Sequence, residues 1–416
     1  MIRRTDHTHN HLNILRSMYY GLVLVILFGL SACDRTYIPS GDYSTRVFES
    51  VPINFNGKES DDTQVIRLES GRLALKKLQL PNFEAGAEVF IRVTVRSAGD
   101  RWDKSGSCFF IQDTTQLSLL QSGDENFKYP AGSSVGEKFG GVKVADNFAP
   151  AVELMRFMTP FGVGFYSEER EDDHRKPVYV PRWEKEVVWE ADISDFYQAL
   201  ADGGYIGIWI DSWTKEGYEA SVDIDVRERY LSRKKIVPLA NTVYYGKGQS
   251  IPEFFADGDF EIDFNVEQPL KNVELKYITT GHGGHSGGDE FVKTKNSLYL
   301  DGKQILDTIP WRDDCASFRR FNPSSGVWLI EDSASYIDWE AQKYKVKYIE
   351  ERQASSDLSR SNWCPGSYVE PYTISLGDLS AGGHQLKISI PAQPMEENKF
   401  NHWLVSAYLV YESDIE

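Results

Sequence analysis

Short runs in which apolar and polar residues alternate one by one recur along this chain from about residue 48 onward, and no heptad or long helical stripe interrupts them. The clearest are VFIRVTV (Val89 to Val95), CFFIQ (Cys108 to Gln112), YIGIWID (Tyr205 to Asp211) and ASVDIDVR (Ala220 to Arg227). Successive side chains of a strand point to opposite faces, so the last run lays Val222, Ile224 and Val226 on one face and its aspartates on the other. The style repeats at Phe260 to Val266, Val273 to Thr279, Ser297 to Leu300, Gln385 to Ile390 and Trp403 to Tyr411, with Asp301-Gly302 marking a turn. The pattern predicts an all-β protein.

The runs fall into two groups on either side of Arg227 to Tyr245, which contains the basic Arg233-Lys234-Lys235. Two successive antiparallel sandwiches follow, an N-terminal domain over 48–235 and a C-terminal domain over 236–416. Gln116 to Asp146, rich in Gly, Ser and Lys, reads as a long surface loop. No internal repeat is evident.

The N-terminus has a different pattern. Arg3, Arg4 and Arg16 precede the apolar run Gly21 to Leu30, and Ser31-Ala32-Cys33 follows. This is the order of a bacterial lipoprotein signal, too short for a comfortable membrane span. Residues 1–32 would be removed, Cys33 would carry the lipid, and 33–47 would be a tether. The expected location is the outer membrane, on its periplasmic or cell-surface side. An uncleaved signal anchor is the alternative, and it too places the remainder outside the cytoplasm.

Charge narrows the partners. A formal net charge of -17 and a pI near 5.0, with no basic stripe, argue against nucleic acid. A neutral, hydroxyl-rich substrate fits better. The 10 Trp and 22 Tyr suit sugar faces as well as β cores. Of four cysteines, Cys33 serves the anchor and Cys108 lies in the apolar SCFFI, where an inert buried thiol is expected. Cys315 and Cys364 flank polar, loop-like sequence and are paired here in a disulfide.

Three carboxylates sit beside aromatic residues at predicted strand edges. Asp103 follows Arg101-Trp102, Asp211 ends YIGIWI beside Ser212-Trp213, and Glu290 follows the glycine-rich Thr280 to Asp289. Indole walls and basic neighbours can tune such groups, although singly each also reads as a turn or strand-capping acid. The glycine-rich loop lets backbone approach a ligand closely. Its His282 and His285, with Asp289 or Glu290, are an alternative metal-ligand set that lacks any closed ligand spacing. Arg360-Ser361-Asn362-Trp363-Cys364-Pro365-Gly366 sets a fixed cation and an indole beside a cysteine, suited either to sugar hydroxyls or to a structural staple.

At these residues the chain resembles the peptide:N-glycosidase F family. Arg101-Trp102-Asp103 looks like its Trp-Asp segment, and Glu153 to Gly164 like the segment that follows it. Asp211-Ser212-Trp213 is similar to its Glu-Thr-Trp strand, Gly288 to Phe291 to the segment of its other essential Glu, and Arg360 to Gly366 to its Arg-x-x-Trp-Cys-Pro-Gly segment with the bridged cysteine. In matching order over most of residues 48 to 413, these segments make a specific signal together. Asp211 stands where the family has Glu, Lys104 where it has Arg, and Thr280 where a sugar-contacting Trp is expected.

The resemblance implies two consecutive jelly rolls and hydrolysis, without a cofactor or metal, of the amide that joins an N-glycan to asparagine. Glycosylamine leaves and aspartate remains. Asp103 would be the central acid/base, with its proton affinity raised toward neutrality, and Glu290 would order the water from the other domain. Asp211 and Arg360 would grip the first N-acetylglucosamine, with Trp102, Lys104, Trp213, His282 and Trp363 as further substrate contacts. N-glycosylated proteins or peptides are the expected partners of a monomer. A non-catalytic glycan- or peptide-binding lipoprotein of the same fold is the alternative, and a copper monooxygenase on paired jelly rolls ranks last for want of His and Met ligands in order.

Overall fold

The computed structural model describes residues 41–112, 116–124, 126–130, 139–168, 180–283, 288–394 and 401–413. Cys33 and His285 lie outside them.

Nine strands make up the first half: β1 (Asp42–Ile53), β2 (Ile66–Leu68), β3 (Leu73–Leu78), β4 (Ala87–Ser97), β5 (Ser105–Gln112), β6 (Val152–Met158), β7 (Val187–Asp192), β8 (Gly204–Ile210) and β9 (Tyr218–Glu228). One four-stranded sheet runs β1-β9-β4-β7, antiparallel throughout. The alternation of β9 does what its sequence requires: Ala220, Val222, Ile224 and Val226 are buried with Val89, Ile91, Val93 and Val95 of β4. Its opposite face carries ion pairs such as Arg46–Asp223. Burying each Val or Ile contributes about 1.5–3 kcal/mol, so a one-residue slip of either strand would lose a whole stripe.

The second half supplies β10 (Lys234–Asn241), β11 (Phe260–Val266), β12 (Leu270–His282), β13 (Asn296–Leu300), β14 (Lys303–Thr308), β15 (Val327–Asp338), β16 (Lys343–Ala354), β17 (Tyr368–Val369), β18 (Tyr372–Leu379), β19 (Gly382–Ser389) and β20 (His402–Glu412). Two further four-stranded sheets, β10-β20-β12-β18 and β11-β19-β13-β14, enclose a core that includes Phe254, Phe260, Ile262, Tyr277 and Trp403. Between β13 and β14 the predicted turn is present. Asp301 and Gly302 take φ of 49° and 78°, the doubly positive pair that a two-residue hairpin loop needs.

The halves are joined by more than a linker. The other sheet of the first half runs β17-β6-β5-β8-β3-β2, so its outermost strand comes from the second half. A third core cluster mixes Leu73, Phe109 and Trp209 with Val243, Tyr245 and Leu404. Through this seam passes a buried ion pair, Glu153–Arg156, with both side chains at most 1% exposed. Buried charges are tolerated only when fully paired and hydrogen-bonded. Here Ser107 Oγ donates to Glu153 at 2.7 Å, while Arg156 Nη1 donates to the Leu404 carbonyl at 2.5 Å and to Thr280 Oγ1 at 3.3 Å, both in the second half.

Three local outcomes bear on the expectations. Cys315 and Cys364 are bridged, with Cα atoms 5.1 Å apart, and Cys108 is a buried free thiol. The stretch expected as a surface loop over Gln116 to Asp146 is partly interior. Leu119, Phe139 and Val142 are buried, and the last two pack into the second-half core, because their apolar side chains outweigh the polar composition around them. Finally, β15 and β16 pair over twelve residues as a sheet of their own, exposed on both faces for most of its length. No strand is expected there from the sequence.

Candidate active site

The Trp102-Asp103 loop, between β4 and β5, is held from beneath by an acid. Asp100 is 1% exposed, and its carboxylate accepts from the Trp102 backbone N–H (3.1 Å) and from Ser212 Oγ (2.9 Å). The Trp102 carbonyl accepts from the buried Tyr218 hydroxyl at 2.5 Å, and Lys104 N–H donates to Thr159 Oγ1 at 2.8 Å. With the backbone pinned on both sides, Asp103 is fixed between them. Its side chain keeps 17% of its surface exposed.

Arg360 faces it from the second half. This guanidinium is 1% exposed and lies 4.9 Å from the centre of the Trp363 ring and 5.1 Å from that of Phe291. Nη1 donates to the Leu358 carbonyl at 2.7 Å and Nη2 to the Ser355 carbonyl at 2.9 Å. Nε donates to Glu290 Oε1 at 2.8 Å, and Nη2 is 3.8 Å from Asp103 Oδ2. Ser361 N–H donates to the Glu290 carbonyl at 2.9 Å and Trp363 Nε1 to the Gly281 carbonyl at 2.9 Å. One cation from the bridged-cysteine segment thus reaches carboxylates of both halves.

Burial lifts the Glu290 carboxyl to about 8. The Arg360 charge opposes that rise and the nearby Asp103 carboxylate adds to it. Glu290 thus has its affinity for a proton raised toward neutrality, with the Arg360 cation and the Asp103 acid both close by.

Asp211, at the end of β8, forms a second centre. Its Oδ1 accepts from Arg72 Nη1 (3.1 Å) and Trp213 Nε1 (3.0 Å), and its Oδ2 from the Tyr244 hydroxyl (3.0 Å). Burial raises its proton affinity, opposed by the charges of Lys104 and Arg72 and by the bond from Tyr244. The Arg72 guanidinium stacks 4.1 Å over the Trp213 ring. Trp102 and Trp213 are 57% and 55% exposed, so indole surface is open to a ligand on both loops, with one face of Trp213 covered by Arg72.

Some expected contacts take other places. Arg360 engages Glu290 and Asp103, whereas the guanidinium on Asp211 is that of Arg72. Trp363 is 4% exposed beneath Arg360 and supports it rather than presenting an open ring. His282 is buried, with Nε2 2.8 Å from Thr280 Oγ1 and its ring stacked between Trp363 and His402 at 5.5 and 5.0 Å. Burial, with the charges of His402 and Arg156, holds its proton affinity well below the ordinary histidine value. No group of three His, Cys, Asp or Glu close enough to hold a metal ion occurs among the described residues. Arg72, Tyr244 and Asp100 went unnoticed in the sequence. Only Asp100, three residues before a candidate acid, lay near any signal.

Fold and site define an all-β protein of two antiparallel domains with a carboxylate–guanidinium centre built from both. The chain belongs to the peptide:N-glycosidase F family: the family's N-terminal model matches residues 44–226 and its C-terminal model residues 250–410. Among solved structures, PNGF-II is 31% identical with a TM-score of 0.77, the match covering 90% of this chain and 66% of that one. Recombinant peptide:N-glycanase F (PNGase F) shares the fold at 14% identity and a TM-score of 0.58, covering 90% and 96%. PNGase F described as a glycosylasparaginase from Flavobacterium meningosepticum does so at 14% and 0.55, covering 90% and 97%. No curated protein matches the chain.

Proposed function

We propose that this protein hydrolyses the amide bond between an N-glycan and asparagine in glycoproteins or glycopeptides, releasing the whole glycan and leaving aspartate. Its family membership and its likeness to PNGF-II support the reading. The observation that carries it is the convergence of Asp103 and Glu290, acids of different halves, on Nη2 and Nε of the one Arg360 guanidinium.

Amide hydrolysis needs a base for water and an acid for the leaving nitrogen. Asp103 takes a proton as water adds to the side-chain carbonyl carbon. Glu290, protonated at neutral pH, holds the water or the carbonyl oxygen by its O–H. The tetrahedral centre then collapses, the C–N bond breaks, and the proton first taken from water passes to the departing nitrogen. Carboxylate and glycosylamine are the products. Trp102 and Trp213 offer faces to the sugar nearest the amide, and Asp211, held by Arg72 and Tyr244, accepts from its polar substituents. No step calls for a cofactor.

A binder without catalysis is the second reading, favoured by the three donors that already hold Asp211 in place. Attachment of the chain through a lipid on Cys33, outside the cytoplasm, is part of the same proposal and is checked by loss of palmitate labelling in Cys33→Ser. The deciding experiment is incubation with a simple N-glycopeptide and mass spectrometry of the peptide. A gain of about one dalton at asparagine, the difference between amide and acid, is expected. Asp103→Asn should reduce the rate by at least about 10²- to 10⁴-fold with the fold intact by circular dichroism. Unaltered activity in that variant sinks the assignment, and no conversion of any glycopeptide favours the binder.

A further inference from the structure

The ribbon of β15 and β16 has no part in the chemistry above, and its construction is unusual. Twelve residue pairs in unbroken register make an arm of about 40 Å. A two-stranded hairpin is marginally stable alone and normally buries one face, yet here neither face is covered. Directly paired residues share a face. On one of them Leu329, Ile337, Tyr344, Val346 and Tyr348 are 61%, 42%, 78%, 66% and 91% exposed. Between Leu329 and that patch, Glu331 lies opposite Glu350, two like charges in register that disfavour the bare ribbon.

The ribbon's root meets the active site. Ser355, the residue after β16, accepts from Arg360 Nη2 at 2.9 Å, and its N–H closes onto the Gly326 carbonyl at 2.8 Å, just before β15. Ser324 Oγ donates to the Arg101 carbonyl at 3.0 Å, two residues before Asp103. The arm therefore starts at the two loops that carry Arg360 and Asp103 and leads away from them.

We propose that this ribbon is a docking arm for the polypeptide of the substrate, an unfolded stretch of the glycoprotein that flanks the glycosylated asparagine and lies extended along the Leu329–Tyr348 face. The inference rests on the proposed amidase reading. Tyr344 and Tyr348 would suit a sugar face, but Leu329, Ile337 and Val346 beside them have little to offer sugar hydroxyls, so a glycan would engage the face only in part. Apolar side chains do suit the residues that unfolding exposes, and the outer strand edges, on which no further strand pairs among the described residues, provide backbone hydrogen bonds to an added strand. The Glu331–Glu350 pair welcomes a Lys or Arg of that stretch. A bilayer would be met by the tip, at Trp339, and would leave Leu329 near the root and the acidic pair unexplained.

The test compares the full-length protein with the variant Tyr344→Ser/Val346→Thr/Tyr348→Ser on two substrates. One is a glycopeptide of five residues, too short to reach the arm. The other is a reduced and alkylated glycoprotein. The expected result is a fall of about tenfold or more in kcat/KM on the long substrate alone. Equal rates for both proteins on both substrates, or equal losses on both, overturn the proposal. If the parent protein cleaves neither substrate, the amidase reading fails separately. Binding is then read by fluorescence anisotropy with an unfolded, glycan-free polypeptide, which the parent should bind and the variant should not. Loss by the variant of flotation with phosphatidylcholine–phosphatidylglycerol vesicles, or of dimerisation in sedimentation, while polypeptide binding is kept overturns the proposal in favour of a membrane or a second copy.

Discussion

At the scale of single residues, the site turns on where a proton sits. Glu290 has an ordinary value near 4.5 in the unfolded chain and about 8 in the fold. Between those values the folded protein holds the extra proton, so this group's effect is to lower stability as pH rises through the window, with the full penalty above about 8. Glu290→Gln carries no charge, and urea titrations from pH 4.5 to 9 should show a flatter decline for it than for the parent. If protonated Glu290 is the working form, kcat should also fall as pH rises past about 8. Asp103, Asp211, Glu290 and Arg360 were legible because each lies in a short, chemically unusual segment. Their neighbours were not. Arg72 sits in SGRLAL, which reads as any strand start, and Tyr244 in VYYG, which reads as core. Nothing local tells either one that it will donate to Asp211, since that contact spans 139 residues in one case and 33 in the other.

Elements were read well where burial imposed alternation and poorly where it did not. The stripes of β4 and β9 are legible because one face is core. In β16 the segment KYKVKYIE also alternates, but its apolar residues face solvent, and a reading that seeks a strand with a core behind it passes over such a ribbon. The stretch from Gln116 to Asp146 was misread for the converse reason, a few apolar side chains such as Leu119, Phe139 and Val142 being enough to draw parts of it inside. The disulfide is the element with a calculable effect. Cys315 and Cys364 are 49 positions apart, and closing a loop of that length is worth about 4 kcal/mol in the chain-entropy model. Replacing both by Ser should lower stability to denaturant by that order. Because the bridge anchors the Arg360–Trp363 turn, activity should fall at temperatures where the variant is still folded. A variant that keeps full activity and midpoint would show the bridge to be incidental.

At the scale of the molecule, the family could be recognised from segments scattered over both halves, whereas the way the halves grip one another could not. No pattern in Tyr368–Val369 announces that it will finish a sheet begun some 300 residues earlier, and no pattern in Glu153–Arg156 announces that carbonyl and hydroxyl groups of the other half will satisfy it. A lent strand has a consequence for how the protein comes apart. If the second half opened first, the first would be left with a bare β6 edge, an Arg156 stripped of its Thr280 and Leu404 acceptors and a cut through the cluster around Trp209 and Leu404, so partial melting is penalised. Scanning calorimetry should therefore give a single endotherm whose calorimetric and van't Hoff enthalpies agree. Two separable transitions would show that the borrowed strand and the hydrogen bonds from Arg156 contribute too little to couple the halves, and a chain cut after Leu231, between β9 and β10, should yield no half that folds unaided.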